Sequence, residues 1–267
     1  MDKMAIVSFR KHGAVILREV FKDWVEILRK GVAKNMQTPG PHVRVYKGDN
    51  PAEGSGKFFG DYCNWQRIPE YSDFIFNSRI GEMASQLMGS KTVRLFHEHV
   101  LVKEAKTELV TPWHQDQPYY CVEASQNISF WIPLDDVPRE RSPEFVAGSH
   151  GWGKIFSPER FNGRPLNKGD DLEKMPDIEA SRSNYDILSW ELSIGDAIAF
   201  DFSTVHGAPS NKSTSNSRRA FSLRLVGDEA RFKRTPGYVS SPPFTDIQLK
   251  NGALLDEVSF PELYRTE

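Results

Sequence analysis

The nine residues Arg218-Arg219-Ala220-Phe221-Ser222-Leu223-Arg224-Leu225-Val226 set the expectation for the whole chain. Their period is two. Arg219, Phe221, Leu223 and Leu225 fall on one face, and Arg218, Ala220, Ser222 and Arg224 on the other. Such alternation reads as a strand. The first face is mostly apolar and is expected to pack under helices. The second is polar and small, as the interior of a barrel that holds a ligand would be. An arginine on that face can grip a carboxylate with two parallel charge-assisted hydrogen bonds, although a surface ion pair is the ordinary use of an Arg-Arg pair.

Upstream, the same rhythm begins near Lys91. Thr92–Lys103, Asn127–Leu134, Ile187–Leu192 and Ala197–Phe202 are strand candidates, and Gly195-Asp196 makes a turn before the last of them. The part before them is different. Gly13–Val20 reads as a short strand, and Phe21, Trp24, Val25, Leu28 and Val32 then recur at helical spacing. Ile80, Met83, Ala84 and Leu87 mark a second helix over Ser78–Met88, with Gly89 as its stop. Thr38–Gly60 is rich in Gly and Pro and reads as loop, and Phe156–Tyr185 as a long polar connection of the kind that forms lids and binding loops. Many short strands behind a helical N-terminal part predict a mainly β fold, a barrel or sandwich braced by flanking helices. We read one domain over 1–267: helical support to about 90, a β core over about 91–230, and a C-terminal extension over about 231–267.

At 267 residues the chain can bury a substantial core, and its formal net charge of -2 implies no bulk attraction to nucleic acid or to membrane. No basic stripe with interleaved aromatics appears. Two cysteines, Cys63 and Cys121, make no disulfide framework and favour a reducing compartment. No apolar run approaches the roughly 18 residues of a membrane span. A cytoplasmic protein acting on a small molecule is expected, as monomer or homodimer.

Two histidines and one carboxylate stand out. His114 and Asp116, in Trp113-His114-Gln115-Asp116-Gln117-Pro118-Tyr119, are two residues apart, so an extended backbone puts both on one face. His206 follows ninety residues later, in Val205-His206-Gly207-Ala208-Pro209, just after an apolar stretch. This set can occupy one face of an octahedral iron(II) and leave positions open for a bidentate acid and dioxygen. Zinc takes the same groups, so the triad alone does not name the metal. An isolated His-x-Asp is common by chance. The ordered company of both histidines, the carboxylate and an arginine twelve residues after His206 is what raises it.

Other residues are candidates by position. Asn127, Ser129 and Trp131 share a face opposite Ile128, Phe130 and Ile132, which fits a ligand-lined interior or an edge strand wetted on its polar side. His97, His99 and Lys103 share one face of Thr92–Lys103 and could meet a charged substrate, although a solvated strand face is the ordinary reading. Tyr119 and Tyr120 could line a pocket just past His114 and Asp116, and Arg224 lies on the inward face of the opening segment.

Several stretches together resemble the phytanoyl-CoA dioxygenase-like iron(II)/2-oxoglutarate oxygenases. They are Val93–His97, Thr111–Tyr119, Phe145–Gly153, Gly195-Asp196, His206–Pro209 and Arg218–Arg224, in the family's order over roughly residues 90 to 230. The resemblance implies a double-stranded β-helix, the jelly-roll or cupin-like fold, with Fe(II) bound by His114, Asp116 and His206. It implies 2-oxoglutarate and O2 as cosubstrates. By position Arg218 pairs with the distal carboxylate of 2-oxoglutarate, Arg219 being the alternative one register away, and Trp131 lies beside the cosubstrate. Ser129 and Asn127 join them as candidates on the same face, and His97, Lys103, Tyr119 and Arg224 are the candidates facing the substrate. One departure is Arg139–Pro143, where the family has a Gly-rich turn. Relatives with a small residue in place of the metal carboxylate can halogenate, so Asp116 points to hydroxylation of a small organic substrate with succinate and CO2 as co-products. The alternatives are desaturation, cyclisation or epimerisation with the same cofactors, or a non-catalytic cupin-like protein that holds a metal or a small acid.

Overall fold

A computed structural model describes residues 1–47, 54–160, 164–169, 171–255 and 258–266. In chain order they form α1 (Lys3–His12), β1 (Ala14–Leu17), α2 (Val25–Gln37), β2 (Arg44–Tyr46), β3 (Phe58–Tyr62), α3 (Pro69–Asn77), α4 (Ile80–Met88), β4 (Thr92–Lys103) and β5 (Thr111–His114). Then come β6 (Val122–Glu123), β7 (Asn127–Pro133), β8 (Glu144–Val146), β9 (Ile187–Leu188), β10 (Ala197–Phe200), β11 (His206–Ala208), β12 (Arg218–Val226), β13 (Arg231–Phe232) and β14 (Glu262–Arg265).

β12 lies between β4 and β7, antiparallel to both, so its backbone is paired on both edges. Its two faces divide as the alternation predicts. Phe221, Leu223 and Leu225 are fully buried on the helix side. There Phe221 meets Tyr71 and Phe74 of α3 with ring centroids 4.8 and 5.7 Å apart, and Phe130 of β7 meets Phe21 at 6.3 Å. Burial of such aromatics is the main attachment of helices to sheet.

The larger sheet has the order β1-β10-β7-β12-β4-β3-β2, with β14 also on β4, and the smaller one β5-β11-β8-β9. The sheets meet through Phe145 and Phe200, whose rings are 5.0 Å apart, in a buried cluster with Trp131 and Ala220. The result is the jelly-roll core, with helices on the outer face of the larger sheet. The Gly195-Asp196 turn ties the N-terminal strand to it. Gly195 has φ 94°, and a Cβ there would stand 2.8 Å from the Lys22 Cα, while the Asp196 carboxylate accepts from Arg18 at 2.7 Å and from the Glu19 N–H at 2.9 Å.

The structure corrects three expectations. Thr38–Gly60 is not all loop: it contains β2 and the first half of β3, and its residues 48–53 lie outside the described residues. β3 gives no strand signal in the sequence because Phe-Phe-Gly-Asp-Tyr is buried on both faces and so does not alternate. α1 and α3 were not anticipated. Only Phe9 of α1 is buried, which leaves a weak apolar period, whereas Tyr71, Phe74 and Ile75 of α3 carry a helical spacing obscured by Pro69 and by polar neighbours. Finally, His97 and Lys103 are not solvated: they are 3% and 1% exposed, because Tyr120 and Phe244 pack on His97 and the Ala208-Pro209 backbone lies against Lys103. The Phe156–Tyr185 connection has no strand or α-helix among its described residues; it holds isolated bridges between Phe156 and Glu173 and between Glu159 and Pro165, turns, and a short 3-10 helix at Arg182–Asn184. No helix among the described residues is long and apolar enough to cross a membrane.

One buried acid sits at the β3–β4 boundary. Glu98 is fully buried; the Asn64 N–H donates to its Oε1, while Oε2 has no partner among the described residues. Burial raises its carboxyl from 4.5 to about 8. The folded state therefore keeps a proton that the unfolded chain has released. The group favours folding below its unfolded value, and that advantage is lost as pH rises through about 8. Thermal melts between pH 5 and pH 8 are expected to show a steeper loss of stability in the parent than in Glu98→Gln. Parallel curves would mean that Glu98 is ionised in the fold.

Candidate metal centre

β5 and β11 are antiparallel neighbours, and their register sets His114 opposite His206, with ring centroids 4.2 Å apart. The close pairing depends on Gly207. A Cβ there would lie 3.0 Å from the Thr111 carbonyl and 3.3 Å from the Trp113 ring. Asp116 follows just beyond the strand. Its N–H and that of Gln117 both donate to the Phe202 carbonyl, at 2.8 and 2.9 Å, which turns the carboxylate back toward the two rings. Asp116 Oδ1 stands 3.7 Å from His114 Nε2 and 3.9 Å from His206 Nε2, and one donor atom from each residue lies within 4.8 Å of the others.

Each ring is oriented by the backbone. His114 Nδ1 donates to the Pro112 carbonyl at 2.8 Å, and His206 Nδ1 donates to the Thr204 carbonyl at 2.9 Å. A carbonyl only accepts, so both protons sit on Nδ1 and both Nε2 lone pairs face the carboxylate. Burial, then the neighbouring His114, lowers His206 to about 3, so this ring is neutral and able to ligate at ordinary pH. Burial works to raise Asp116, but Arg224 and the two histidines hold it well below the usual carboxylate range. Its Oδ2 accepts from Ser129 Oγ at 3.1 Å and from Arg224 Nη2 at 3.4 Å, leaving Oδ1 directed at the shared centre. Two imidazoles and a carboxylate on one side, with supporting hydrogen bonds behind them, are a donor set that a borderline divalent cation accepts.

The inner face of the larger sheet looks onto this centre. At one end, Arg218 and Lys103 are cross-strand partners, 5% and 1% exposed. Arg218 Nη1 donates to the Arg141 and Pro209 carbonyls, and Lys103 Nζ to the Ala208 and Pro209 carbonyls at 3.3 and 3.0 Å. Neither meets a carboxylate among the described residues. Burial, then Arg141, lowers Arg218 to about 10; burial, then Arg218, lowers Lys103 to about 6. A buried guanidinium without an anion, beside an amine that burial leaves largely neutral, forms a site that a carboxylate would stabilise by pairing with Arg218 and favouring protonation of Lys103. The Arg139–Arg141 turn, where the family has glycines, forms the rim of this end by offering the Arg141 carbonyl to Arg218. Trp131 lies on the same inner face, beside Ser222.

Several candidates take other places than expected. Arg219 points to the outer face, where Asp135 binds its Nε and Nη2 at 3.0 and 2.5 Å; alternation keeps it out of the interior. The Asn127 amide is used by backbone, accepting from the Phe202 N–H at 2.6 Å and donating to the Ala124 carbonyl at 2.9 Å. Ser129 supports Asp116 rather than lining a free wall. Lys103 is at the Arg218 end, away from the substrate side suggested for it. Tyr119 stands perpendicular to the His114 ring with centroids 5.9 Å apart, and its hydroxyl donates to the Glu159 carbonyl and accepts from the Glu159 N–H, clasping the long connection. His97 and Arg224 are brought together on adjacent strands next to Asp116. One further contributor gives little sign of itself in the sequence. The Gln115 side chain donates to the Lys154 and Ser203 carbonyls and accepts from the Phe156 N–H, anchoring the loop beside the centre. Its place between two candidate ligands was the only signal for it.

The sequence model of the family described as phytanoyl-CoA dioxygenase (PhyH) matches residues 9–220. Among curated proteins, none matches the chain significantly. Among solved structures, the non-heme alpha ketoglutarate dependent carbocyclase SnoK from nogalamycin biosynthesis is 22% identical, covering 98% of this chain and 96% of its own, with a TM-score of 0.75. The epimerase SnoN, in complex with Fe3+, alpha ketoglutarate and nogalamycin RO, is 21% identical over 98% of both chains, with a TM-score of 0.73. EctD from S. alaskensis, with 2-oxoglutarate and 5-hydroxyectoine, is 17% identical over 87% of this chain and 78% of its own, with a TM-score of 0.65. These likenesses show the fold.

The geometry makes a graded prediction for metal affinity, measurable by calorimetry with Mn(II). His206→Ala is expected to abolish tight binding. Ser129→Ala removes only a support of Asp116 and is expected to weaken binding by about tenfold, the lower end for such partners. Tight binding that survives His206→Ala would place the ion elsewhere.

Proposed function

The chain belongs to the phytanoyl-CoA dioxygenase family, and on that footing we propose that it is a non-heme iron(II)- and 2-oxoglutarate-dependent oxygenase of a small organic molecule. The observation that carries the reading is the combination of the Nε2, Nε2, Oδ1 donor set with a buried Arg218–Lys103 pair lacking an anion. His114, Asp116 and His206 would hold the iron. Arg218, with Lys103 beside it, would hold the far carboxylate of 2-oxoglutarate, and Trp131 would wall its chain. A zinc hydrolase needs no second buried cationic site, so this pair favours the oxygenase over a zinc enzyme. SnoN supports the choice of cofactors, because it is described with Fe3+ and alpha ketoglutarate.

When bound, iron(II) with 2-oxoglutarate would supply oxidising chemistry with O2 as the oxidant: one oxygen atom goes to succinate as CO2 is lost, and the other is spent on a substrate C–H bond. The chain's own residues do the positioning. Ser129 and Arg224 keep Asp116 Oδ2 occupied, so that Oδ1 would join the two imidazoles in holding the iron. The Pro112 and Thr204 carbonyls hold the ring tautomers. Arg218 fixes the cosubstrate's direction along the inner face. Gln115 and Tyr119 hold the 154–159 segment beside the candidate ligands.

Hydroxylation is the outcome we propose, because Asp116 keeps the carboxylate in place. Cyclisation or epimerisation is the second reading, favoured by a fold likeness that spans nearly the whole of SnoK and SnoN. Product mass separates them: hydroxylation adds an oxygen atom, cyclisation removes two hydrogens and epimerisation leaves the mass unchanged.

With iron(II), ascorbate and a panel of small substrates, the protein is expected to release succinate from 2-oxoglutarate. Arg218→Ala should raise the KM for 2-oxoglutarate by at least about tenfold, as loss of a charge-assisted pair would. Arg219→Ala should leave it unchanged. No succinate with any substrate despite tight metal binding would favour a binding protein instead.

A further inference from the structure

The inner face ends, opposite to Lys103 and Arg218, in a second polar group. Arg224 of β12 is paired with His97 of β4 and with Ser129 of β7. Arg224 and His97 are 5% and 3% exposed. Most of their polar atoms are accounted for. Arg224 Nε donates to the Tyr120 hydroxyl at 2.9 Å and Nη2 to Asp116 Oδ2 at 3.4 Å. His97 Nδ1 donates to the Glu98 carbonyl at 3.3 Å, and the Tyr120 ring lies edge-on to the imidazole at 5.2 Å. Two atoms are left over: Arg224 Nη1 and His97 Nε2 are buried with no partner among the described residues.

These two atoms are a donor and an acceptor. Nη1 is a cationic donor that cannot accept. With its proton on Nδ1, the imidazole offers a lone pair at Nε2, and burial together with Arg224 holds the ring neutral. A carboxylate would satisfy Nη1 but place oxygen lone pairs against Nε2. An ammonium would satisfy Nε2 but repel Arg224. A hydroxyl satisfies both, since it accepts and donates through one oxygen. A cationic donor on that oxygen polarises its O–H bond toward the imidazole, which favours an acidic hydroxyl over an aliphatic one. The surroundings are aromatic: Phe96 and Phe202 pack on Tyr120 at 5.1 and 5.0 Å.

We propose that Arg224 and His97 anchor the substrate by an acidic hydroxyl of phenol or enol type, which accepts from Arg224 Nη1 and donates to His97 Nε2. Because Arg224 also touches Asp116, the anchored ring is held beside the metal centre, and the carbon attacked belongs to the part of the substrate that carries this hydroxyl. The proposal names the substrate class of the oxygenase reading and rests on it.

The test uses the protein loaded with Mn(II) and saturating 2-oxoglutarate, with phenol, which stays neutral at the working pH, and its methyl ether anisole as probes, read by calorimetry. The phenol is expected to bind at least about tenfold more tightly than the ether, the scale of a buried hydrogen bond lost. His97→Leu should erase that preference, and Arg224→Gln should weaken both probes. A preference that persists in His97→Leu would be steric and would overturn the assignment, as would equal affinity for phenol and ether in the unaltered protein, a comparison that needs no variant. Affinity for 2-oxoglutarate is measured first on the same Mn(II)-loaded samples. Its absence in the unaltered protein would overturn the cofactor reading, whereas its presence alongside probe results that fail would overturn the hydroxyl anchor alone.

Discussion

The pairing of β11 against β5 is the constraint on which the rest depends. It sets His206 across from His114, and Gly207 lets the backbones come close enough for the rings to share a centre. The Phe202 carbonyl then fixes Asp116 by accepting two backbone N–H groups. Every candidate ligand is thus positioned by main chain, and every ring tautomer is set by a carbonyl two residues back. The larger sheet contributes a rigid wall, because β12 is paired on both edges and packed by Phe221 onto α3. Sites built on regular elements hold their geometry better than sites built on loops.

Charge on the inner wall divides it into two ends. Arg218 and Lys103 occupy one end without an anion, and Arg224 occupies the other, sharing Asp116 with the two histidines. Uncompensated ions cost several kcal/mol each in a protein interior, so a fold that keeps them there has partners for them outside its own sequence. A dicarboxylic cosubstrate answers the first end and a polarised hydroxyl the second. Nothing in packing alone requires two arginines and a lysine on a face that they share with Ala220, Ser222, Leu101 and Trp131.

Much of this was legible in the residues. Alternation revealed β4, β7 and β12 and separated Arg218 from Arg219, because adjacent residues on a strand face opposite ways. The i, i+2 spacing of His114 and Asp116 predicted convergence. Other features depend on contacts distant in sequence. Whether His97 and Lys103 face water or protein is decided by residues later in the chain, Tyr120 and Phe244 for His97 and Ala208 and Pro209 for Lys103. Lys103 could be assigned to the Arg218 end only once β4 and β12 were in register. The Asn127 amide looks available in sequence and is claimed by the Phe202 N–H, seventy-five residues away. β3 is buried on both faces and so gives no period to read.

The central claim is that one metal centre and one cationic end together hold 2-oxoglutarate. It is tested most directly by visible absorption under anaerobic conditions, as 2-oxoglutarate is added to the iron(II)-loaded protein. Chelation by the keto acid gives a metal-to-ligand charge-transfer band. The account predicts that this band appears and saturates in the unaltered protein, needs far more 2-oxoglutarate in Arg218→Ala, and is unchanged in Arg219→Ala. Absence of the band in the unaltered protein, or equal saturation with and without Arg218, would contradict it.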